Sequence, residues 1–153
     1  MDEIAVARKL AATRWHYPEV DPDALARLQQ RIAGAGRRQD LITYSDLVRG
    51  VTFYLPNVND GKPFEIDVSE WRDLDRAIIG EFLGYISMLS FREAGFMASA
   101  LAVEKAEMKP SVHFFRWMRE LGALPDTKEE TVLAFWLDQV KKAHAWFKAH
   151  SKT

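Results

Sequence analysis

The strongest constraint on the fold is an apolar stripe in residues 70–93. Five large apolar side chains recur there at intervals of four, four, three and four residues: Leu74, Ile78, Phe82, Tyr85 and Leu89. These intervals place side chains on one face of an α-helix. The pattern therefore predicts a long helix that opens at Ser69, ends at Gly95 and lies at the centre of the molecule.

Shorter patterns predict further helices on both sides of this one. They cover the first dozen residues, the segment from Pro22 to the glycines at 34 and 36, and residues 44–49, 112–121 and 127–149. Asp21 and Thr43 have the side chains that cap helix N-termini. Asp126 and Glu129 have the spacing of a capping box.

Four short segments are rich in β-forming residues. Leu41 and Ile42 predict a very short strand, residues 51–55 and 64–68 predict a hairpin across a turn, and residues 96–103 predict a buried strand. The fold class is therefore α+β and predominantly helical, and we expect residues 1–153 to form a single domain.

Composition excludes several classes of function. The chain has no cysteine, which excludes disulfides, thiolate metal sites and cysteine nucleophiles. Its formal net charge of −1 is spread evenly and gives no general attraction to nucleic acid or anionic membranes. Acidic residues at the N-terminus and the lack of a long apolar window predict a cytoplasmic protein without a membrane segment.

One run of residues carries a resemblance to a known fold. Thr43-Tyr44-Ser45-Asp46-Leu47, a long helix and the apolar run Ser99–Val103 follow one another. This order resembles a winged-helix domain, and more specifically small bacterial proteins of no established function. In those proteins the strand leads into a glycine-rich turn, whereas this chain has Lys109-Pro110-Ser111.

The resemblance implies a division of the chain into three parts. Residues 1–40 are N-terminal helices, residues 41–110 form a winged-helix-like centre, and residues 111–150 are C-terminal helices. The recognition helix begins near Ser69, and the wing covers about residues 97–110.

Winged helices often bind DNA, and such binding depends on basic side chains that contact phosphates. The candidates here are Arg37, Arg38, Arg72, Arg76, Lys105, Lys109 and Arg116. The predicted recognition helix carries more acids than bases, so a DNA-binding regulator is the alternative rather than the leading hypothesis.

Metal binding and catalysis have weaker signals. No two of the four histidines are four residues apart, the spacing that places two ligands on one helical face, so no metal and no cofactor is predicted. His113, between a polar turn and an aromatic pair, is the candidate for acid–base chemistry. A small metal-free hydrolase is the second alternative.

Small and aromatic residues indicate close packing or an interface. Gly80 and Gly84 lie one turn apart on the long helix and permit close approach of another element, within the fold or across a dimer. Aromatic residues crowd the last two helices on more than one face; the interface candidates among them are Phe115, Trp117, Phe135 and Trp146. The leading hypothesis is a non-enzymatic interaction or regulatory module that binds a protein partner or itself.

Overall fold

A computed structural model describes residues 1–150 of the chain. The helices are α1 (Glu3–Ala12), α2 (Pro22–Arg37), α3 (Tyr44–Val48), α4 (Asp73–Ala94), α5 (Val112–Leu121) and α6 (Glu129–Ala149). The strands are β1 (Ile42–Thr43) and β2 (Ala102–Val103), with short 3-10 turns at Pro18–Val20, Asn59–Gly61 and Ala98–Leu101. The predominantly helical α+β class predicted from the sequence is confirmed.

The two strands form a parallel sheet in which Ile42 pairs with Ala102 and Thr43 with Val103. The Thr43 hydroxyl also accepts a hydrogen bond from the Asp46 backbone N–H at 3.1 Å, so the strand leads directly into α3. The predicted cap at Thr43 is therefore present. No helix of the described residues is long and apolar enough to cross a membrane.

The predicted strand over residues 96–103 is wrong for most of its length. Ala98–Leu101 form a 3-10 turn, and the strand is confined to β2. Every residue from Phe96 to Val103 is nevertheless buried, as the apolar run indicates. The segment does not form an extended strand ladder, because side chains of neighbouring helices form hydrogen bonds with its backbone.

These side-chain hydrogen bonds come from α4 and α6. The Ser87 and Ser90 hydroxyls accept hydrogen bonds from the backbone N–H groups of Ser99 and Ala98, both at 2.9 Å. The Gln139 side-chain oxygen accepts from the Met97 N–H at 2.7 Å. Backbone amides that are buried need such partners, and here they receive them without a second strand.

The predicted hairpin is reduced to one antiparallel bridge. Phe53 and Phe64 exchange both backbone hydrogen bonds, at 2.7 and 2.9 Å, and their rings stack. Asn59, Asp60 and Gly61 all have positive φ in the intervening turn. Pairing ends at this bridge, so residues 51–55 and 64–68 are extended segments rather than strands of a sheet.

Three helix boundaries also differ from the prediction. Helix α4 begins at Asp73 and not at Ser69, because the Asp75 carboxylate accepts a hydrogen bond from the Arg72 N–H at 3.0 Å and caps the helix there. Helix α2 continues through Gly34 and Gly36 to Arg37. Helix α6 begins at Glu129, because the Asp126 carboxylate accepts a hydrogen bond from the Lys128 N–H instead of forming a capping box. Gly95, with φ of 77°, ends α4 as predicted.

The apolar residues form two clusters. The larger one joins α2, α3 and α4 with the 51–66 segment, and the other joins α1 and α5 with the N-terminal half of α6. The buried 96–103 segment contributes to both: Phe96 and Leu101 belong to the first, and Met97 and Val103 to the second. This segment therefore connects the two parts of the core.

Asp21 fixes the start of α2 and connects it to the 51–55 segment. One carboxylate oxygen accepts from the Ala24 N–H at 3.2 Å, and the other from the Tyr54 N–H at 2.7 Å. The Asp21 side chain is buried. Replacing it removes both a helix cap and the partner of a second backbone amide.

We expect Asp21→Ala to lower the free energy of unfolding by about 2 kcal/mol, the sum of a lost cap and an amide left without a partner. Asp23→Ala is the control, since Asp23 is exposed in the same turn of α2. Urea unfolding of both variants measures the difference. Equal losses would contradict the proposed role of Asp21.

Candidate functional site

A groove of about 570 Å³ lies along one flank of α2. Four of its seven lining residues are arginines, so we call it the arginine groove. Its lining consists of Arg27, Gln30, Arg31, Gly34, Arg37, Arg38 and Ile42.

Gly34 lies at the centre of the arginine groove. Gln30 and Arg31 precede it by four and three residues. Arg37 and Arg38 follow it by three and four. Residues three and four apart are neighbours on a helix surface. The longer side chains therefore surround the one position of this face that has no side chain.

Arg31 is held in place by the C-terminal end of α3. Its Nη1 donates hydrogen bonds to the backbone oxygens of Asp46, Leu47 and Arg49, at 3.1, 3.0 and 2.7 Å. A helix C-terminus carries carbonyls without helical partners and a partial negative charge. One edge of the Arg31 guanidinium is thus fixed, and the side chain is half-buried.

The charge of the arginine groove is unbalanced. None of its lining residues is acidic. Among residues 1–150 the side-chain ion pairs are His16–Glu81, Arg49–Asp46, Arg72–Asp75, Arg76–Asp73 and Lys142–Asp138. The four groove arginines form no ion pair within that part of the chain.

The chemistry available in the arginine groove is binding rather than proton transfer. Its polar side chains are guanidinium groups and one amide, and an arginine keeps its proton throughout the physiological range. No imidazole, carboxylate or hydroxyl side chain lines it. Guanidinium forks match carboxylate and phosphate oxygens in bidentate geometry.

The predicted nucleic-acid residues lie in different environments. Arg37 and Arg38 line the arginine groove. Lys105 and Lys109 lie in a turn closed by a bridge between Glu104 and Lys109. Arg116 is exposed on α5.

Arg72 and Arg76 are bound to acids of their own helix. Arg76 pairs with the exposed Asp73, and Arg72 donates from Nε and Nη2 to the two oxygens of Asp75, at 3.1 and 2.9 Å. The Asp75 side chain is buried. Burial acts to raise the pKa of the Asp75 carboxyl, but the hydrogen bonds from Arg72 outweigh it and hold this pKa below its ordinary value.

His113 is exposed in the first turn of α5 and is not part of the lining of the arginine groove. Its imidazole makes no hydrogen bond within residues 1–150. The other three histidines do: His16 with Glu81, His144 with the Asp40 carbonyl and His150 with the Trp146 carbonyl. No three metal-binding side chains of the described residues are grouped to hold an ion.

The two glycines of α4 differ in their surroundings. Gly84 is buried, and a Cβ there would lie 2.8 Å from Cη2 of Trp15 and 3.3 Å from Cη2 of Trp117. Gly80 is exposed and has no neighbour within 4 Å of a Cβ. The close approach predicted at Gly84 is made within the chain, by indole rings rather than by another helix.

The aromatic interface candidates are all half-buried. Trp117 meets Trp15 edge to face at 6.4 Å, and Phe115 meets Phe114 in the same way at 5.2 Å. Trp146 stacks on the His150 ring. Phe135 packs against the cluster of α1, α5 and α6. Each of these four aromatic side chains thus has a packing partner within the chain, and each keeps part of its surface exposed.

The sequence reasoning missed four of the seven lining residues of the arginine groove, namely Arg27, Gln30, Arg31 and Gly34. A signal was present, since residues 27, 31, 34 and 38 are spaced four, three and four apart and share a helical face. The net charge of the whole segment does not reveal this row of arginines. Acids on other faces of the same segment balance these arginines in the sum.

No family model, curated protein or solved structure matches this chain.

We expect Asp75→Asn to lower the free energy of unfolding at pH 7 by about 1–3 kcal/mol, because it leaves buried hydrogen bonds unmade. The native pKa of Asp75 is lowered, so its contribution is present above the unfolded pKa near 3.9 and is lost as pH falls below it. The difference from wild type should therefore shrink below pH 4. Asp73→Asn, at an exposed pair, is the control, and a loss independent of pH would contradict this assignment.

We expect Gly80→Ala and Gly84→Ala to change stability in opposite directions. Alanine at the open position 80 should raise the free energy of unfolding by about 0.5–1 kcal/mol, because glycine costs backbone entropy in a helix. Alanine at position 84 should lower it by about 1–3 kcal/mol through overpacking against Trp15. Thermal unfolding of both variants tests this, and a change of the same sign would refute the packing at Gly84.

Proposed function

We propose that the protein is a non-enzymatic interaction module that binds an acidic segment of a partner protein in the arginine groove. The observation that carries this proposal is the grouping of four arginines around Gly34 without an acidic residue in the lining. Like charges held together repel one another. A bound anion relieves that repulsion and occupies guanidinium groups that otherwise face water.

The size of the arginine groove favours a protein segment over duplex DNA. Arg38 follows Arg27 by eleven positions, which on a helix is a distance of about 16 Å. An extended segment of about five residues covers that length. A protein that binds duplex DNA can make about 6–10 phosphate contacts, whereas the groove offers four arginines, and Arg72 and Arg76 are engaged by Asp75 and Asp73.

The proposal keeps several predictions that were made from the sequence. The winged-helix-like centre over residues 41–110 is supported by the order of α3, α4, β2 and the turn at 104–109. Binding of a second copy of the chain and a cytoplasmic location also remain predictions. A DNA-binding regulator is the alternative function, and it uses Lys105 and Lys109 of the predicted wing together with Arg116 on α5.

The test compares binding of a labelled ten-residue Asp/Glu-rich peptide and of a labelled DNA duplex by fluorescence anisotropy. We expect the wild type to bind the peptide with an affinity that falls as salt rises. The double variant Arg27→Gln/Arg38→Gln should bind about tenfold or more weakly, since each lost charged hydrogen bond contributes about 1.5–3 kcal/mol at most. Arg116→Gln is the matched control and should bind the peptide as the wild type does.

Two results would overturn the proposal. One is failure of the wild type to bind the peptide at low salt. The other is peptide binding that Arg27→Gln/Arg38→Gln leaves unchanged. Salt-sensitive binding of the duplex that Arg116→Gln abolishes would instead favour the DNA-binding regulator.

A further inference from the structure

The side chains around Gly34 are of the kind that bind one compact, doubly charged group. The Arg38 guanidinium lies over Gly34, and positions three and four residues away add two more guanidinium groups and one amide. We propose that these side chains bind a phosphoryl group carried by the partner segment. The inference rests on the proposed function and specifies the group that is recognised.

The number and kind of donors distinguish a phosphoryl group from a carboxylate. A carboxylate has one charge and two oxygens, which a single arginine fork satisfies. A phosphoryl ester has nearly two charges at neutral pH and three acceptor oxygens. Arg31, Arg37 and Arg38 line the same groove and offer guanidinium donors there, and the Gln30 amide adds a neutral donor.

Arg38 lies close over the helix backbone at Gly34. A Cβ at position 34 would lie 3.1 Å from Nη1 of Arg38. Glycine has no Cβ to compete for this space. An alanine at position 34 would therefore shift the Arg38 guanidinium away from the backbone.

Arg31 supplies a donor group whose position does not depend on the ligand. Its three hydrogen bonds to α3 carbonyls all use Nη1. The guanidinium is planar and rigid, so fixing Nη1 restricts the position of the remaining donors at the edge of the groove. A site ordered in this way loses less conformational entropy when a ligand binds.

The experiment uses the whole chain and four probes in isothermal titration at pH 7.5. Three are forms of one acidic ten-residue peptide with serine, glutamate or phosphoserine at its centre, and the fourth is inorganic phosphate. We expect the phosphoserine form to bind about tenfold more tightly than the glutamate form, for an added charge and additional charged hydrogen bonds.

Gly34→Ala tests the location of the site. It should reduce the preference for phosphoserine, because its methyl group shifts the Arg38 guanidinium, while the glutamate form retains its affinity. Gly80→Ala, an exposed glycine in the interior of another helix, is the matched control and should keep the full preference. Arg38→Gln should lower the preference as well, without adding volume to the helix.

The pH dependence provides a second readout. The second ionisation of a phosphoryl group lies near pH 6, so lowering the pH from 7.5 to 5.5 should weaken binding of the phosphoserine form. Binding of the glutamate form should stay nearly constant, because a glutamate titrates near pH 4.3 and arginine does not titrate in this range.

The outcomes separate this inference from the proposed function. Equal binding of the glutamate and phosphoserine forms overturns the phosphoryl site and leaves the acidic-segment module standing. A preference that survives Gly34→Ala overturns its location at Gly34. Binding of inorganic phosphate as tightly as the phosphoserine form overturns a partner segment as the carrier. Absence of all binding overturns both proposals.

Discussion

The fold depends on satisfying the polar backbone of the buried segment 96–103. This segment lies between helices and has no strand partner except β1 at its end. Ser87 and Ser90 bind its amides from α4, and Gln139 binds from α6. An unpartnered buried amide costs about 1–3 kcal/mol, so these bonds fix where the two long helices lie. The Trp136 N–H, bound to the Ala100 carbonyl at 2.8 Å, adds a second link from α6.

The position of α6 in turn orients α2. The Phe147 ring occupies the space where Gly36 has no side chain, so the two helices approach closely at that point. The buried face of α2 includes Leu28 and Ile32. With that face packed, the flank centred on Gly34 is left facing outward. The two glycines therefore have different roles. Gly36 leaves room for an aromatic ring of the core, and Gly34 lines the arginine groove.

Much of the fold is predictable from the sequence because helix signals are local. Apolar spacing, the cap residues Asp21 and Thr43, and glycines such as Gly95 determine most boundaries to within a few residues. The errors occur where tertiary contacts decide. Residues 96–103 have the composition of a strand, but serine and glutamine side chains from distant helices bind their backbone. Gly34 and Gly36 are typical of a helix end, because glycine is a poor helix former. Helix α2 nevertheless continues through both, because Gly36 packs against Phe147.

By itself, the sequence determined that this chain is mainly helical, lacks cysteine chemistry and has a long central helix, since composition and short-range periodicity are properties of the chain alone. Only the tertiary structure determined which charged side chains lie next to one another on the surface. From the sequence, Arg37, Arg38, Arg72 and Arg76 were all candidates for nucleic-acid binding. In the structure Arg37 and Arg38 line the arginine groove, whereas Arg72 and Arg76 are bound by acids of their own helix. The arginine groove arises because packing of α2 orients one flank outward and α3 holds Arg31 at its edge. Charge complementarity is a property of surfaces, and surfaces form only when helices distant in sequence pack together.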